Sequence, residues 1–195
     1  MGLSKSPLQS VDLLRLESTR VLDGKGNAYF LRSLWSKDST TVLVFIRHFA
    51  CIACRAHVAQ ILQFKKQFES KGSKVIFLGH GSSEALADFK KAMNLEDTLI
   101  FTDPSRESFL ACSFKKSFLN LISASSAIHM TKLALKGHRQ SKYDKSMGIH
   151  RQMGGIVVIK KGRKVAFHYI SEAVGDFPPE EKVLEQVSED LDSQR

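Results

Sequence analysis

The chain has 195 residues and a mass of 21.8 kDa, enough to bury a hydrophobic core without disulfide bonds, and we treat 1–195 as a single domain. Its three cysteines are too few for a secreted disulfide scaffold, and no segment approaches about eighteen uninterrupted apolar residues, so we expect a soluble cytoplasmic protein with reduced thiols and no membrane partner. The net charge is +9, but no aromatic interleaving or nucleic-acid motif accompanies the basic residues, so nucleic acid is not an expected partner.

The first half of the chain alternates strand and helix patterns. The stretch STRVLDGKGNAYF has two short apolar runs around Asp-Gly and Gly-Asn turn pairs, which predicts a hairpin-like N-terminal extension. The run TTVLVFIRHF (40–49) is apolar and β-branched almost throughout, as expected of a central strand covered on both faces. Helical spacing then predicts a helix over 54–69, and KVIFLGH (74–80) is the next strand. These three elements form a βαβ unit, which requires parallel pairing and a right-handed crossover.

The second half continues with a helix, a short strand, another helix and a second hairpin. SSEALADFKKAMN predicts a helix that Ser82 or Ser83 opens, TLIFTDP predicts a short strand, and RESFLACSF predicts a further helix. The segment GGIVVIKKGRKVAFHYI predicts a β-hairpin, and EEKVLEQVSEDL predicts a helix after a Pro-Pro pair. We predict that residues 115–153 form an insertion with one or two helices and an irregular basic loop. The order predicts an α/β fold with a mixed central sheet, βαβ and then ββα.

Cys51 and Cys54 lie three positions apart directly after the most apolar run of the chain. A Cys-x-x-Cys pair between a buried strand and a helix is typical of redox chemistry, because free N–H groups and the helix dipole stabilise a thiolate there. Two alternatives stay open. A zinc site needs four ligands, and no motif adds a fourth to these cysteines and His57, so no metal is expected. The other alternative is two inert core cysteines, since a buried free cysteine behaves as a small hydrophobe.

Three motifs give the chain a specific resemblance to a known family. The run VFIRHFACIACRAHVAQI, a later Asp-Pro pair, and QMGGIVVI followed by a Lys-Gly turn resemble the peroxiredoxin-like 2 group. That group is an AhpC/TSA-type branch of the thioredoxin fold and includes prostamide/prostaglandin F synthase and selenoprotein U relatives. The resemblance runs from about Asp23 to Val187. It implies a thioredoxin-like three-layer fold, to which the N-terminal extension and the insertion near 115–153 are added.

The resemblance also implies a function for the cysteine pair. Cys51 and Cys54 become the redox centre of a thiol-disulfide oxidoreductase that has no bound cofactor and takes electrons from thioredoxin and NADPH or from glutathione. The implied substrates are a peroxide, an endoperoxide or a disulfide. We expect Cys51 to be the nucleophile and the more exposed sulfur, with Cys54 as the resolving thiol. Two other interpretations remain: a thiol peroxidase or lipid endoperoxide reductase with Cys54 peroxidatic, and a non-catalytic redox-sensing module.

Four further residues are candidates for supporting this pair. Arg47 and His48 precede it and are expected to lower a thiol pKa by their charge, although strand alternation directs only one of them at the sulfurs. A purely structural role at the end of the strand is the alternative for Arg47. Gly154 and Gly155 stand where thioredoxins carry a cis-proline, and we expect them to allow close approach of a substrate sulfur.

Three remaining features receive ordinary structural interpretations. His57 is expected to be exposed on its helix, and Cys112 to lie in the core. Six basic residues lie between 132 and 151, and eight acids lie between 172 and 192. This polarity favours a solvated basic loop beside an acidic helix over a surface that steers anionic ligands.

Overall fold

The computed structural model describes residues 11–35, 37–114, 131 and 143–188. The run predicted as one or two helices within 115–153 lies outside these residues, apart from residue 131. Short 3₁₀ turns are found at Leu31–Ser33, Lys145–Met147 and Lys161–Arg163. The other elements are, in chain order, α1 (Leu13–Ser18), β1 (Arg20–Leu22), β2 (Ala28–Phe30), β3 (Thr40–Phe45), α2 (Ile52–Gln63), α3 (Lys65–Ser70), β4 (Ser73–Gly79), α4 (Ser83–Met93), β5 (Ile100–Thr102), α5 (Glu107–Ala111), β6 (Gly155–Lys160), β7 (Lys164–Ile170) and α6 (Glu180–Ser188).

One mixed sheet organises the described part of the chain, and its seven strands there follow the order β2-β1-β5-β4-β3-β6-β7. The strands β3, β4 and β5 are parallel, whereas β6 runs antiparallel to β3 and β7 antiparallel to β6. The hairpin of β1 and β2 joins the edge of the parallel strands, where β1 pairs with β5. The predicted α/β fold, with βαβ followed by ββα and an N-terminal hairpin, is confirmed.

Alternation along β3 divides the interior into two cores. All six residues of this strand are buried, as its continuous apolar pattern predicts. Val42 and Val44 belong to one core, together with side chains of α2, α3, α4 and α6. Leu43 and Phe45 belong to the other core, which they share with α1 and α5. Helices therefore cover both faces of the sheet, which gives the three layers expected of a thioredoxin-like fold.

The predicted bounds of β3 and of the following helix were wrong by several residues. The strand ends at Phe45. One further backbone hydrogen bond to β4 follows, from the N–H of Ile46 to the carbonyl of Leu78 at 2.7 Å. The N–H of Phe49 instead donates to the carbonyl of Met147 at 3.0 Å, so the chain has left the sheet. The predicted helix 54–69 begins earlier, at Ile52, and is interrupted at Phe64, where φ is −95° and ψ is 2°.

The chain packs unusually close to the neighbouring strands at Gly154 and Gly155, where β6 begins. A Cβ atom on Gly154 would lie 2.2 Å from the carbonyl oxygen of Phe45, and one on Gly155 would lie 2.0 Å from that of Tyr169. Protein backbone therefore fills the space beside both residues. Strand packing accounts for the two glycines, and their expected contact with a substrate sulfur stays a prediction.

Substitution of Gly155 tests this packing. We expect Gly155→Ala to lower the free energy of unfolding by about 1–3 kcal/mol, because the added carbon forces β6 away from β7. Gly24→Ala is the matched control, since its Cβ would meet Ala87 at an ordinary 3.4 Å. Denaturant unfolding of both variants measures the difference. Equal stability of the two would contradict the close packing.

Candidate active site

Both cysteines lie at the start of α2, which follows β3 at the carboxyl end of the parallel strands. Cys51 is the N-cap residue of α2, with φ of −70° and ψ of 121°, and Cys54 lies in the first turn. Both are free thiols, and their side chains are almost equally buried, with 2 % of Cys51 and 3 % of Cys54 exposed. The expectation that Cys51 is the more exposed sulfur was therefore wrong. The loop around Met147 packs against the same core, and Arg47 links this loop to Cys51.

The two thiols differ in acidity although they do not differ in exposure. A hydrogen bond from the Cys54 thiol lowers the pKa of Cys51 against the effect of burial, and Arg47 and the backbone N–H groups of Cys54 and Ala53 lower it further. Burial raises the pKa of Cys54 well above its usual range, and the neighbouring Cys51 raises it again. The start of the helix therefore favours a thiolate on Cys51 and a protonated thiol on Cys54.

Arg47 is the charged residue that faces the pair. Its Nη1 donates to Cys51 Sγ at 3.4 Å, and its Nη2 donates to the backbone carbonyl of His150 at 2.7 Å. The side chain is 3 % exposed, so this positive charge acts with little screening by water. Of the two residues predicted to influence the thiols by charge, Arg47 makes the contact.

His48 lies beside the pair without contributing a charge at neutral pH. Burial, followed by the charges of Arg47, His150 and His80, lowers the pKa of His48 to about 3. Its ring lies 4.9 Å from that of His150, which in turn packs on Tyr143 at a centroid distance of 3.5 Å. The expected lowering of a thiol pKa by a charged His48 is therefore absent at neutral pH. Its ring instead packs against Tyr143 and His150 in the loop that Arg47 links to Cys51.

The loop of residues 143–150, named the covering loop because it lies against Arg47, His48 and Phe49, is held by backbone contacts. Besides its bonds to Arg47 and Phe49, it accepts a hydrogen bond from the N–H of Ser82 through the carbonyl of Ser146 at 2.6 Å. Gly148 has φ of +106°, and a Cβ there would meet the His80 ring at 2.7 Å. A glycine is therefore required for the covering loop to approach His80 and the start of α4.

His57 is buried, and the expectation of an exposed helix residue was wrong. Its side chain is 3 % exposed and stacks on Phe177 with ring centroids 3.7 Å apart. Burial lowers the pKa of His57 to about 3, and its Nε2 has no hydrogen-bond partner in the described part of the chain. The apolar pattern of α2 does not show this, because the segment that carries Phe177 lies more than a hundred residues away in the sequence.

Cys112 belongs to the second core, as predicted. It is fully buried, in the cluster that contains Leu43 and Phe45 of β3. Cys51 and Cys54 belong to the first core, on the opposite face of the sheet. Burial raises the pKa of the Cys112 thiol, so this residue is neither near the pair nor readily ionised.

Two kinds of feature are absent from the described residues. No three His, Cys, Asp or Glu side chains in those ranges come together so as to hold a metal ion. Each helix in the same ranges is too short or too polar to traverse a lipid bilayer.

Sequence reasoning missed three residues around the pair. Arg55 follows Cys54 directly and lies four positions after Cys51, so helical spacing alone was a usable signal for it. Tyr143 and His150 gave no such signal, because they lie in a loop that the sequence left unassigned. Their position depends on long-range contacts with Arg47 and His48.

A dithiol at the start of the helix that follows a central parallel strand, in a mixed sheet with helices on both faces, defines a thioredoxin-fold oxidoreductase of the peroxiredoxin-like class. The chain belongs to the AhpC/TSA antioxidant enzyme family, which it matches over residues 60–173. The matched residues begin after both cysteines, so the family match supports the fold and the class and leaves the roles of Cys51 and Cys54 to other arguments.

The chain is similar to named proteins over most of its length. It is 29 % identical over 181 residues to prostamide/prostaglandin F synthase of Xenopus tropicalis, covering 91 % of this chain and 89 % of that protein. It is 27 % identical over 189 residues to the chloroplastic thioredoxin-like protein AAED1 of Arabidopsis thaliana, covering 94 % and 73 %. The solved structure of peroxidoxin BcpB from Mycobacterium tuberculosis aligns with a TM-score of 0.61 at 16 % identity, over 86 % of this chain and 90 % of that one. This last likeness establishes the fold alone.

Removal of the Arg47 charge tests its effect on Cys51. We expect Arg47→Met to raise the Cys51 pKa by about 1–2 units, because a cation that favours the thiolate is lost. The pH dependence of iodoacetamide alkylation, followed on the Cys51 peptide, measures this change. Arg47→Lys keeps a charge in the site and should retain part of the effect. An unshifted alkylation profile in a folded Arg47→Met protein would show that Arg47 does not stabilise the thiolate.

The burial of His57 predicts that the free energy of unfolding decreases at acid pH. Its folded pKa of about 3 lies below the ordinary value of 6.5, so the unfolded chain binds the proton more readily and stability falls as the pH drops through this interval. Between about pH 6 and 4, the free energy of unfolding of His57→Phe should fall less steeply with decreasing pH than that of the wild type. We expect the two slopes to differ by about 1.4 kcal/mol per pH unit. Denaturant unfolding at several pH values measures the slope. Phe177→Leu, which leaves the titrating group in place, should keep the wild-type slope, and an unchanged slope in His57→Phe would contradict the assignment.

Proposed function

We propose that the protein reduces its substrates through a dithiol-disulfide cycle in which Cys51 attacks and Cys54 resolves. One observation carries this order: Arg47 donates to Cys51 Sγ at 3.4 Å at the start of α2 and so favours the thiolate, while burial keeps Cys54 protonated. The thiolate is the nucleophilic form of cysteine. The reversed order, with Cys54 peroxidatic, requires ionisation of the thiol whose pKa is raised.

A hydroperoxide is reduced in two chemical steps. The Cys51 thiolate attacks the outer oxygen, the O–O bond breaks, and the alkoxide that leaves takes the proton lost by Cys51, so the products are an alcohol and a sulfenic acid. The Cys54 thiol then attacks the Cys51 sulfur, which releases water and forms the Cys51–Cys54 disulfide. A dithiol reductant restores both thiols and supplies the two electrons. With an endoperoxide, the same two electrons convert the O–O bond into two hydroxyl groups.

The substrate class that we propose is a peroxide, an endoperoxide or a disulfide. The similarity to a prostamide/prostaglandin F synthase favours an organic substrate with an O–O bond. We also propose that a thioredoxin-type protein with NADPH, or glutathione, supplies the electrons in a reducing compartment such as the cytoplasm. A redox sensor is the second candidate, and the near-complete burial of both sulfurs favours it. A panel of peroxides and disulfides with excess reductant separates the two, since an enzyme turns over and a sensor is oxidised once.

The order of attack is tested with two cysteine variants. We expect Cys54→Ser to accumulate a mixed disulfide between Cys51 and a disulfide substrate or reductase, because no resolving thiol remains to release it. We expect Cys51→Ser to form no such adduct. Intact mass spectrometry followed by peptide mapping identifies the adduct and its position. If Cys51→Ser forms a sulfenic acid on Cys54 while Cys54→Ser stays unreactive, the roles are reversed.

Cys112 provides the matched control for these variants. Because it lies in the other core, Cys112→Ser should cycle like the wild type. Mild peroxide should produce a Cys51–Cys54 bridge in the wild type and leave Cys112 free. A dominant bridge to Cys112 would refute the proposed pair.

A further inference from the structure

Arg55 is a positively charged side chain beside the redox pair to which the proposed cycle assigns no role. Its backbone N–H donates to the carbonyl of Cys51 at 3.0 Å, which fixes it one helical turn after that residue. The side chain is partly buried between α2 and α4, and the centre of its guanidinium lies 5.5 Å from the centre of the Phe89 ring. Phe89 is 1 % exposed and belongs to the core, so it forms a rigid platform for the guanidinium.

The guanidinium of Arg55 has no anionic partner among the described residues. No carboxylate in those ranges forms an ion pair with it, and its buried Nε has no hydrogen-bond acceptor there. Two other arginines of the chain, Arg15 and Arg163, form ion pairs with glutamates. Within the described part of the chain, Arg55 therefore bears a partly desolvated charge without the compensation that such charges usually have.

The charge of Arg55 also acts on the reactive sulfur. Burial lowers the pKa of Arg55, whereas the Cys51 thiolate raises it, so the two groups lie within electrostatic reach of each other. The Arg47 side chain donates to both Cys51 and His150, whereas the Arg55 side chain makes no such bond to a described residue. An anionic group held by Arg55 would consequently lie close to an atom that reacts with Cys51.

We infer that Arg55 binds a carboxylate carried by the small molecule that reacts at Cys51. A planar guanidinium presents parallel N–H donors that match the two oxygens of a carboxylate, and an aromatic platform preserves this orientation. The inference rests on the proposed function in taking Cys51 as the reacting sulfur. It adds a charge preference: acidic substrates or reductants whose carboxylate lies a few bonds from the reacting atom react faster than their neutral analogues.

Alkylation tests this preference without requiring turnover. Iodoacetate carries a carboxylate and iodoacetamide is its neutral analogue, and both react with the same thiolate, so the ratio of their rates cancels any change in the Cys51 pKa. We expect Arg55→Gln to lower the ratio of iodoacetate to iodoacetamide rates on the Cys51 peptide by about tenfold relative to the wild type. Arg55→Lys should keep part of the preference, and added salt should reduce it in the wild type.

The control variant is Arg32→Gln. Arg32 also lies 5.5 Å over a phenylalanine ring, that of Phe30, but this ring belongs to the outer strand β2. Its ratio should equal that of the wild type. If Arg55→Gln also keeps the wild-type ratio, the inference is overturned.

Two further arms distinguish the sources of the carboxylate. The substrate arm compares 3,3′-dithiodipropionate with the neutral 2-hydroxyethyl disulfide as oxidants of the reduced protein. The reductant arm compares 3-mercaptopropionate with 2-mercaptoethanol in reduction of the oxidised protein. If the wild type reacts faster with the acidic compound in one arm and Arg55→Gln does not, that arm identifies the source of the carboxylate. If the wild type shows no preference for the acidic compound in either arm, the inference is refuted. If the wild type turns over no substrate, the proposed function fails while the alkylation ratio still decides the role of Arg55.

Discussion

A buried guanidinium is the constraint on which the rest of the site depends. Arg47 is almost completely enclosed, and a charge in that position is tolerated only where it finds partners. It finds the Cys51 sulfur on one side and the His150 carbonyl on the other. The ionisation of Cys51 and the placement of the covering loop are therefore two consequences of one buried charge. A neutral side chain of the same size at this position would provide neither.

The two cysteines show that burial alone does not decide how a thiol behaves. Cys51 and Cys54 have nearly the same exposure, yet their pKa values shift in opposite directions. The difference arises from orientation, because the first sulfur accepts hydrogen bonds from Arg47 and from the start of α2, while the second, still protonated, donates a hydrogen bond to the first. From the sequence alone, Cys51 is favoured as the nucleophile because its sulfur is expected to be the more exposed. The hydrogen-bond donors around Cys51 are a better reason for the same choice.

Features set by local patterns were predictable, and features set by distant contacts were not. The apolar run of β3, the turn chemistry of both hairpins and the Cys-x-x-Cys spacing each follow from a few adjacent residues, so they were found. The burial of His57 depends on Phe177, and the backbone pairing of Phe49 depends on Met147, each about a hundred residues away. The spacing of apolar residues within α2 or β3 does not indicate contacts with residues so far away in the sequence. The bound of β3 was missed for the same reason, since the N–H of Phe49 bonds to the covering loop and not to a neighbouring strand.

The N-terminal hairpin has a consequence for self-association. The three residues of β2 form the outer edge of the sheet, and β1 meets β5 at only one residue pair, Leu22 with Thr102. The turn is fastened by the Asp23 carboxylate, which accepts hydrogen bonds from the backbone N–H groups of Lys25 and Asn27. An open β5 edge would offer unpaired N–H and C=O groups to another chain, as in edge-to-edge aggregation. The hairpin occupies that edge with a strand too short to act as a template, so a small local turn protects the parallel strands that carry the redox pair from intermolecular β-pairing.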